Sequence, residues 1–222
     1  PDNYYELAIV DPPFGIGAEN HAGKKENGWK QWDKKNWDNK IPNKKYFEEL
    51  KRVSKNQIVW GGNYMTEFLH ASMGWIIWDK GQRDFSLADG EMAWTSFNKA
   101  MRIWEYARAK TISDNKIHPT QKAVKLIEKL IEIFTDEGDV VIDPCAGSGS
   151  TLIACANKKR KGFGFEIKKE FFTQAKEWET EILTYNKEID ILIDNYKNFY
   201  SEHMLEGNEG AVTESGDVEE WV

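Results

Sequence analysis

Short apolar runs alternate with helix-patterned stretches along this chain, and that alternation restricts the fold more than any other property. Residues 5–10 and 56–60 read as buried strands, separated by a polar loop and a helix over Lys44–Val53 in which Phe47, Leu50 and Val53 recur at helical spacing. A β-loop-α-β order implies parallel pairing. Residues 73–78 give a third strand and 90–97 a fourth, after the turn Asp79-Lys80-Gly81. Residues 120–134 pattern as an amphipathic helix with Val124, Ile127, Leu130, Ile131 and Phe134 on one stripe and Gly138 beyond its end. A strand at 139–142, a helix from about Thr151 and a strand at 162–165 follow. The expected class is α/β: a mainly parallel sheet covered by helices, in one domain, which is what 222 residues allow.

The net charge of −7 sits at one end. Ser201 to Val222 carries seven acids and no Lys or Arg, so the remaining 30 acids balance the 30 bases and residues 1–200 are neutral. This Gly-, Ser- and Glu-rich tail, 201–222, is expected to be disordered and says little about the partner of the folded part. No run approaches the roughly 20 apolar residues of a membrane span, and Pro1-Asp2-Asn3-Tyr4 does not begin a signal peptide, so the expected location is cytoplasmic. Cys145 and Cys155 form no CxxC pair and the four histidines are scattered, so no metal centre is expected.

Chemistry concentrates in two places. Asp11-Pro12-Pro13-Phe14 ends the apolar run Leu7-Ala8-Ile9-Val10, at the carboxyl end of a strand, where open α/β sheets bind ligands. Asp11 can accept a hydrogen bond from an exocyclic amine, the Pro12 carbonyl is a second acceptor, and Phe14 offers a stacking face. The same four residues also suit a strand terminator. In the second place, a strand runs into the turn Asp143-Pro144-Cys145-Ala146-Gly147-Ser148-Gly149 and then a helix start. Glycines admit close backbone approach and a helix N-terminus presents free N–H groups, while Glu166, at the end of the next strand, can hold ribose hydroxyls. A nucleoside cofactor is the expected ligand. GxGxxG fails at Leu152 and no Gly-Lys-Ser/Thr follows, which disfavours a dinucleotide or P-loop site. Cys145 has no neighbour in sequence that would lower its pKa, so it reads as structural rather than nucleophilic.

Together the two motifs resemble those of the S-adenosylmethionine-dependent amino-methyltransferases of DNA, and their order resembles the permuted β class. Trp60-Gly61-Gly62-Asn63-Tyr64, Trp75-Ile76-Ile77-Trp78-Asp79-Lys80, Glu91-Met92-Ala93-Trp94-Thr95-Ser96-Phe97 and His118-Pro119-Thr120-Gln121-Lys122 agree with it. The resemblance implies a circularly permuted class I methyltransferase (Rossmann-like) fold with helices on both faces of the sheet. It implies methyl transfer from S-adenosyl-L-methionine to a base flipped out of double-stranded DNA and stacked on Phe14, its amino nitrogen bonded to Asp11 and Pro12. Asp143, Gly147 and Gly149 would line the methionine and ribose, Glu166 would hold the ribose, and His118 to Lys122, with Thr120 as a helix N-cap, would close over the methionine end. Asp rather than Ser at position 11 favours adenine N6. Cytosine N4, RNA, or a non-catalytic nucleic-acid-binding subunit are the alternatives, and a restriction-modification setting is implied.

The chain departs from the family pattern in three ways. Position 123 is Ala where the family has Pro; the chain starts close to the catalytic strand, where the family usually has an upstream strand and helix, so it reads as trimmed; and the target-recognition segment, about 99–116, is short. Residues 15–45 carry eight lysines against four acids, with Trp29, Trp32 and Trp37 interleaved, and are expected to contact DNA. The methyltransferase domain is expected to span 1–167. A long helix over 168–200 follows, in which Phe171, Ala175, Trp178, Ile182, Tyr185, Ile189, Leu192, Tyr196 and Phe199 form a heptad seam suited to a homodimer through 171–199.

Overall fold

The computed structural model describes residues 1–17, 38–84, 88–107 and 121–183, the last six as backbone only. His118, Thr120, the lysine- and tryptophan-rich stretch between 18 and 37, residues 108–116 of the target-recognition segment, the tail and the heptad seam beyond Ala175 lie outside these residues or outside their side chains.

Seven strands form one sheet in the order β5-β3-β4-β2-β1-β6-β7. They are β1 (Tyr5–Val10), β2 (Ser54–Trp60), β3 (Trp75–Asp79), β4 (Gly90–Thr95), β5 (Arg102–Glu105), β6 (Val140–Asp143) and β7 (Lys161–Gly164). The helices are α1 (Lys44–Val53), α2 (Val124–Phe134), α3 (Ser150–Asn157) and α4 (Lys169–Leu183). β1 lies inside the sheet, parallel to β2 on one side and to β6 on the other. β4 is antiparallel to both of its neighbours.

Side chains alternate across a strand, so β1 feeds two cores. Leu7 and Ile9 join Ile58, Trp60, Ile127, Leu130, Ile131 and Ile153 on one face. Ala8 and Val10 join Val59, Tyr46, Phe47, Leu50 and Ile142 on the other. α1 therefore covers one face and α2 with α3 the other, and β1, buried on both sides, has the uninterrupted apolar run that its sequence shows. α1 starts where Asn43 caps it, accepting from the Tyr46 N–H at 3.0 Å.

Four details differ from the sequence reading. β2 begins at Ser54, immediately after α1, with no intervening loop. The fourth strand runs against the parallel ones, because the link from β3 is short enough for a hairpin rather than a crossover. The edge strand β5, parallel to β3, lies inside the stretch read as target recognition. α2 begins at Val124 instead of 120: Gln121, Lys122 and Ala123 are buried and non-helical, and the extended Ala123, not Thr120, occupies the N-cap position, without a side-chain cap. In α4, Phe172 and Ala175 pack on Leu152 of α3, so the start of the seam is buried within its own domain.

Candidate active site

The parallel strands deliver their last residues to one edge of the sheet, and the reversed β4 delivers its first residues there. Asp11 follows β1, Asp143 ends β6, and Glu166 lies just past β7; Glu91 comes from the start of β4. The Asp11-Pro12-Pro13-Phe14 turn is pinned from a distance. Asp38, 1% exposed, accepts the Phe14 N–H at 2.5 Å and the Gly15 N–H at 2.9 Å. Phe14 stacks on Tyr64 with ring centroids 5.3 Å apart and planes 17° from parallel. Gly61 makes room for that ring: its φ is +65°, and a Cβ there would lie 2.2 Å from a Phe14 ring carbon.

Asp11 meets its charged partner across 111 positions of sequence. The Lys122 ammonium lies 2.6 Å from Asp11 Oδ2 and 3.0 Å from Glu91 Oε2, and the other Glu91 oxygen pairs with Lys80 at 2.6 Å. Lys122 also sits over the Trp60 ring at 5.2 Å and the Phe14 ring at 5.9 Å. Asp11 Oδ1 is buried and has no hydrogen-bond partner. Burial pushes the Asp11 carboxyl above its ordinary pKa, with Lys122 opposing the shift and Glu91 and Asp38 adding to it. Burial would raise Glu91 as well, but Lys122 and Lys80 outweigh it and hold that carboxyl at about 2. Burial works against the Lys122 charge, yet the two carboxylates keep its pKa above the usual lysine value.

The glycine turn is built around its own acid. Asp143 Oδ2 accepts from the Thr151 hydroxyl at 2.5 Å and Oδ1 from the Cys145 N–H at 3.0 Å. Gly147 and Gly149 have φ of +54° and +79°, which lets the chain reverse before α3. Pro144, Ala146 and Ser148 are buried; the Ala146 N–H donates to the Phe165 carbonyl at 2.8 Å and the Ser148 hydroxyl lies 2.9 Å from that of Ser150. Glu166 joins the turn to β7, accepting from the Gly147 N–H at 2.9 Å and the Lys168 N–H at 2.7 Å. Burial raises both Asp143 and Glu166 to about 7, against the pull of those hydrogen bonds. The Cys145 thiol, buried beside Asp143, is raised well above its ordinary value, the opposite of an activated nucleophile.

The DNA methylase family, of the N6/N4 type, matches residues 93–177. The type II methyltransferase M.HpaI of Haemophilus parainfluenzae is 41% identical over 76 residues, 34% of this chain and 24% of that protein. The type II methyltransferase M2.DpnII of Streptococcus pneumoniae is 26% identical over 216 residues, 77% of this chain and 81% of that protein. These likenesses are all to DNA methylases and methyltransferases of the N6/N4 type. Its fold matches that of TTHA0409 of Thermus thermophilus, solved with S-adenosyl-L-methionine, at a TM-score of 0.54 and 16% identity, over 88% of this chain and 93% of that one.

In this chain the edge of the sheet gathers Asp11 to Phe14, Asp143 to Gly149 and Glu166, while His118 and Thr120 fall outside the described residues. Lys122 differs from the expectation that it closes over the methionine end. Its carbonyl accepts from Ser150 at the start of α3, but its side chain goes to Asp11. Asp38, Glu91, Lys80 and Tyr64 do not stand out as site residues in the sequence. Glu91, Lys80 and Tyr64 lie in motifs already quoted, and that is the available signal. Asp38 reads only as countercharge in a basic loop, and nothing local marks it as a cap.

Proposed function

We propose that this chain transfers a methyl group from S-adenosyl-L-methionine to an exocyclic amino nitrogen in DNA, with adenine N6 as its target. The observation that carries the reading is Asp11 Oδ1, a buried acceptor with no partner at the carboxyl edge of the sheet. Such an atom costs free energy unless a ligand fills it. An amino group is the natural complement, since it brings hydrogens that Oδ1 can accept.

The glycine turn fits the cofactor. Each Glu166 oxygen accepts one backbone N–H and, as a carboxylate oxygen, retains a second lone pair for a ribose hydroxyl. Gly147 and Gly149 present backbone without a Cβ in the way, at the N-terminus of α3. When bound, S-adenosyl-L-methionine supplies an electrophilic methyl group. The chain's part is to place the nucleophile: Asp11 and the Pro12 carbonyl hold the amino hydrogens, leaving the nitrogen lone pair free, and their negative charge stabilises the positive charge that grows on the nitrogen. Phe14, backed by Tyr64, supplies the flat surface for a base taken out of the duplex. The lysines and tryptophans between 15 and 45 suit the phosphates and bases around it.

Transfer of tritiated methyl from S-adenosyl-L-methionine to duplex DNA, with nucleoside analysis of the product, tests the reading. N6-methyladenine is expected. N4-methylcytosine would move the target to cytosine, labelling of RNA alone would change the substrate class, and no labelling would leave a non-catalytic binding subunit. Asp11→Ala must abolish transfer; activity unchanged by it overturns the mechanism.

A further inference from the structure

We propose that Lys122 is a positioning residue for Asp11: it occupies Oδ2, holds the carboxylate in its ionised form at a desolvated place, and so reserves Oδ1 for the incoming amine, while Glu91 and Lys80 hold Lys122. The proposal rests on the function above, which it deepens by assigning a role to three charged side chains outside the Asp11-Pro12-Pro13-Phe14 turn.

The geometry is that of a chain of alternating charge. Lys80, Glu91, Lys122 and Asp11 follow one another at 2.6, 3.0 and 2.6 Å. The ammonium in the middle is only 7% exposed and has an aromatic face at Trp60 and another at Phe14. A buried lysine kept charged needs carboxylates, and two are present. The arrangement divides Asp11 into two unlike oxygens, one neutralised and one vacant. A protonated Asp11 would carry a hydrogen of its own and could no longer accept at both oxygens, so the amine-holding role requires the ionised form. Burial opposes that form and Lys122, in contact with Oδ2, favours it. Glu91 acts on Asp11 in two senses. It anchors Lys122, and its own charge, like that of Asp38 beneath the turn, disfavours ionisation of Asp11. Among the described residues, Asp143 on the neighbouring strand, itself raised by burial, and Cys145 also feel Asp11.

These opposed influences give a signature that loss of packing does not. Removing Lys122 raises the Asp11 pKa, and an activity that needs ionised Asp11 then loses its acidic limb at higher pH. Removing the Glu91 charge does the reverse. The experiment is the pH profile of kcat for methyl transfer in the wild-type chain, Lys122→Met, Lys122→Arg and Glu91→Gln. Lys122→Met should move the acidic limb up by roughly one to three pH units, the range set by one opposite charge in contact. Lys122→Arg should bring it back toward the wild-type position, and Glu91→Gln, which keeps the shape of the side chain, should move it down. Profiles that fall in height without shifting, or shifts of the same sign in Lys122→Met and Glu91→Gln, would overturn the proposal. Should Lys122→Met fail to fold, the sign of the Glu91→Gln shift decides alone. Carboxyl 13C NMR titration of Asp11, assigned with Asp11→Asn, reads the same pKa without DNA or cofactor. Shifts of the expected signs there, in a wild-type chain that methylates nothing, would uphold the pairing and sink only the methyltransferase reading; unshifted titration in an active enzyme would sink only the pairing.

Discussion

Asp11 and Asp143 end two adjacent parallel strands, with Ala8 opposite Ile142 in the register, yet their carboxylates are engaged in different ways. Asp143 spends both oxygens on its own turn, on the Thr151 hydroxyl and the Cys145 N–H. Asp11 spends one oxygen on a lysine 111 positions away and leaves the other empty. An acid satisfied by its own loop shapes that loop, whereas an acid with a vacant, buried acceptor is prepared for a group that arrives from outside. The same residue type at the same edge of the sheet thus divides into scaffold and site.

The largest expected effect separates the two most directly. Asp11→Ala should lower methyl transfer by about 10³-fold, the scale of losing one preorganised charge-stabilising group, while leaving cofactor binding close to wild type. Asp143→Ala should do the opposite first. It orphans the Thr151 hydroxyl and the Cys145 N–H, costs about 1–3 kcal/mol of stability, and weakens cofactor binding through the deformed turn, as calorimetry would report. If Asp143→Ala melted like wild type, the distinction between scaffold and site would be wrong.

The two acids around the glycine turn also predict a pH dependence. Asp143 and Glu166 both have folded pKa values of about 7, above those of an unfolded chain. The folded state therefore holds their protons more tightly, and the stabilisation is complete below about pH 4 and is lost as pH rises through about 7. The melting temperature of the ligand-free chain should fall between pH 5 and 8, and Asp143→Asn should flatten the fall. Glu91, held at about 2, titrates below this window and leaves the sign unchanged.

Two smaller effects sharpen the picture on the Asp11 side. Gly61→Ala puts a methyl into the Phe14 ring at a left-handed backbone position and should cost about 1–2 kcal/mol, with a larger loss in transfer than in cofactor affinity. Ala123→Pro should be the mildest change. The φ of Ala123 is −66°, already that of proline, so a gain of about 0.5 kcal/mol is expected from the less flexible unfolded chain, visible as a small rise in melting temperature.

How much of this is readable in advance depends on the distance over which the information acts. β1, β6 and the glycine turn are legible because each is a contiguous run whose burial and backbone needs are met within a dozen residues. β5 is not, since Arg102-Ile103-Trp104-Glu105 is four residues at a sheet edge with Ile103 63% exposed, a pattern that a loop can share. The direction of β4 is illegible as well: its side-chain alternation is the same whichever way the strand runs. Yet that direction brings Glu91 to the site. The start of α2 reads four residues early because helical periodicity continues through residues that tertiary contacts hold out of the helix, Lys122 above all. Asp38 caps a turn 24 positions before it, and such a partner has no local signature.

That cap also joins two distant points of the chain. Gly17 donates its N–H to the Asp38 carbonyl at 2.9 Å, while the Asp38 side chain grips Phe14 and Gly15, so the twenty residues 18–37 leave and return through a single pinched neck. A segment fastened in this way is a cassette. Closing it with a much shorter connection changes the loop-closure free energy by only about 1–2 kcal/mol, because that cost grows with the logarithm of length. The segment between Gly17 and Asp38 can therefore be exchanged or lengthened while the Asp11-Pro12-Pro13-Phe14 turn at its neck stays in register.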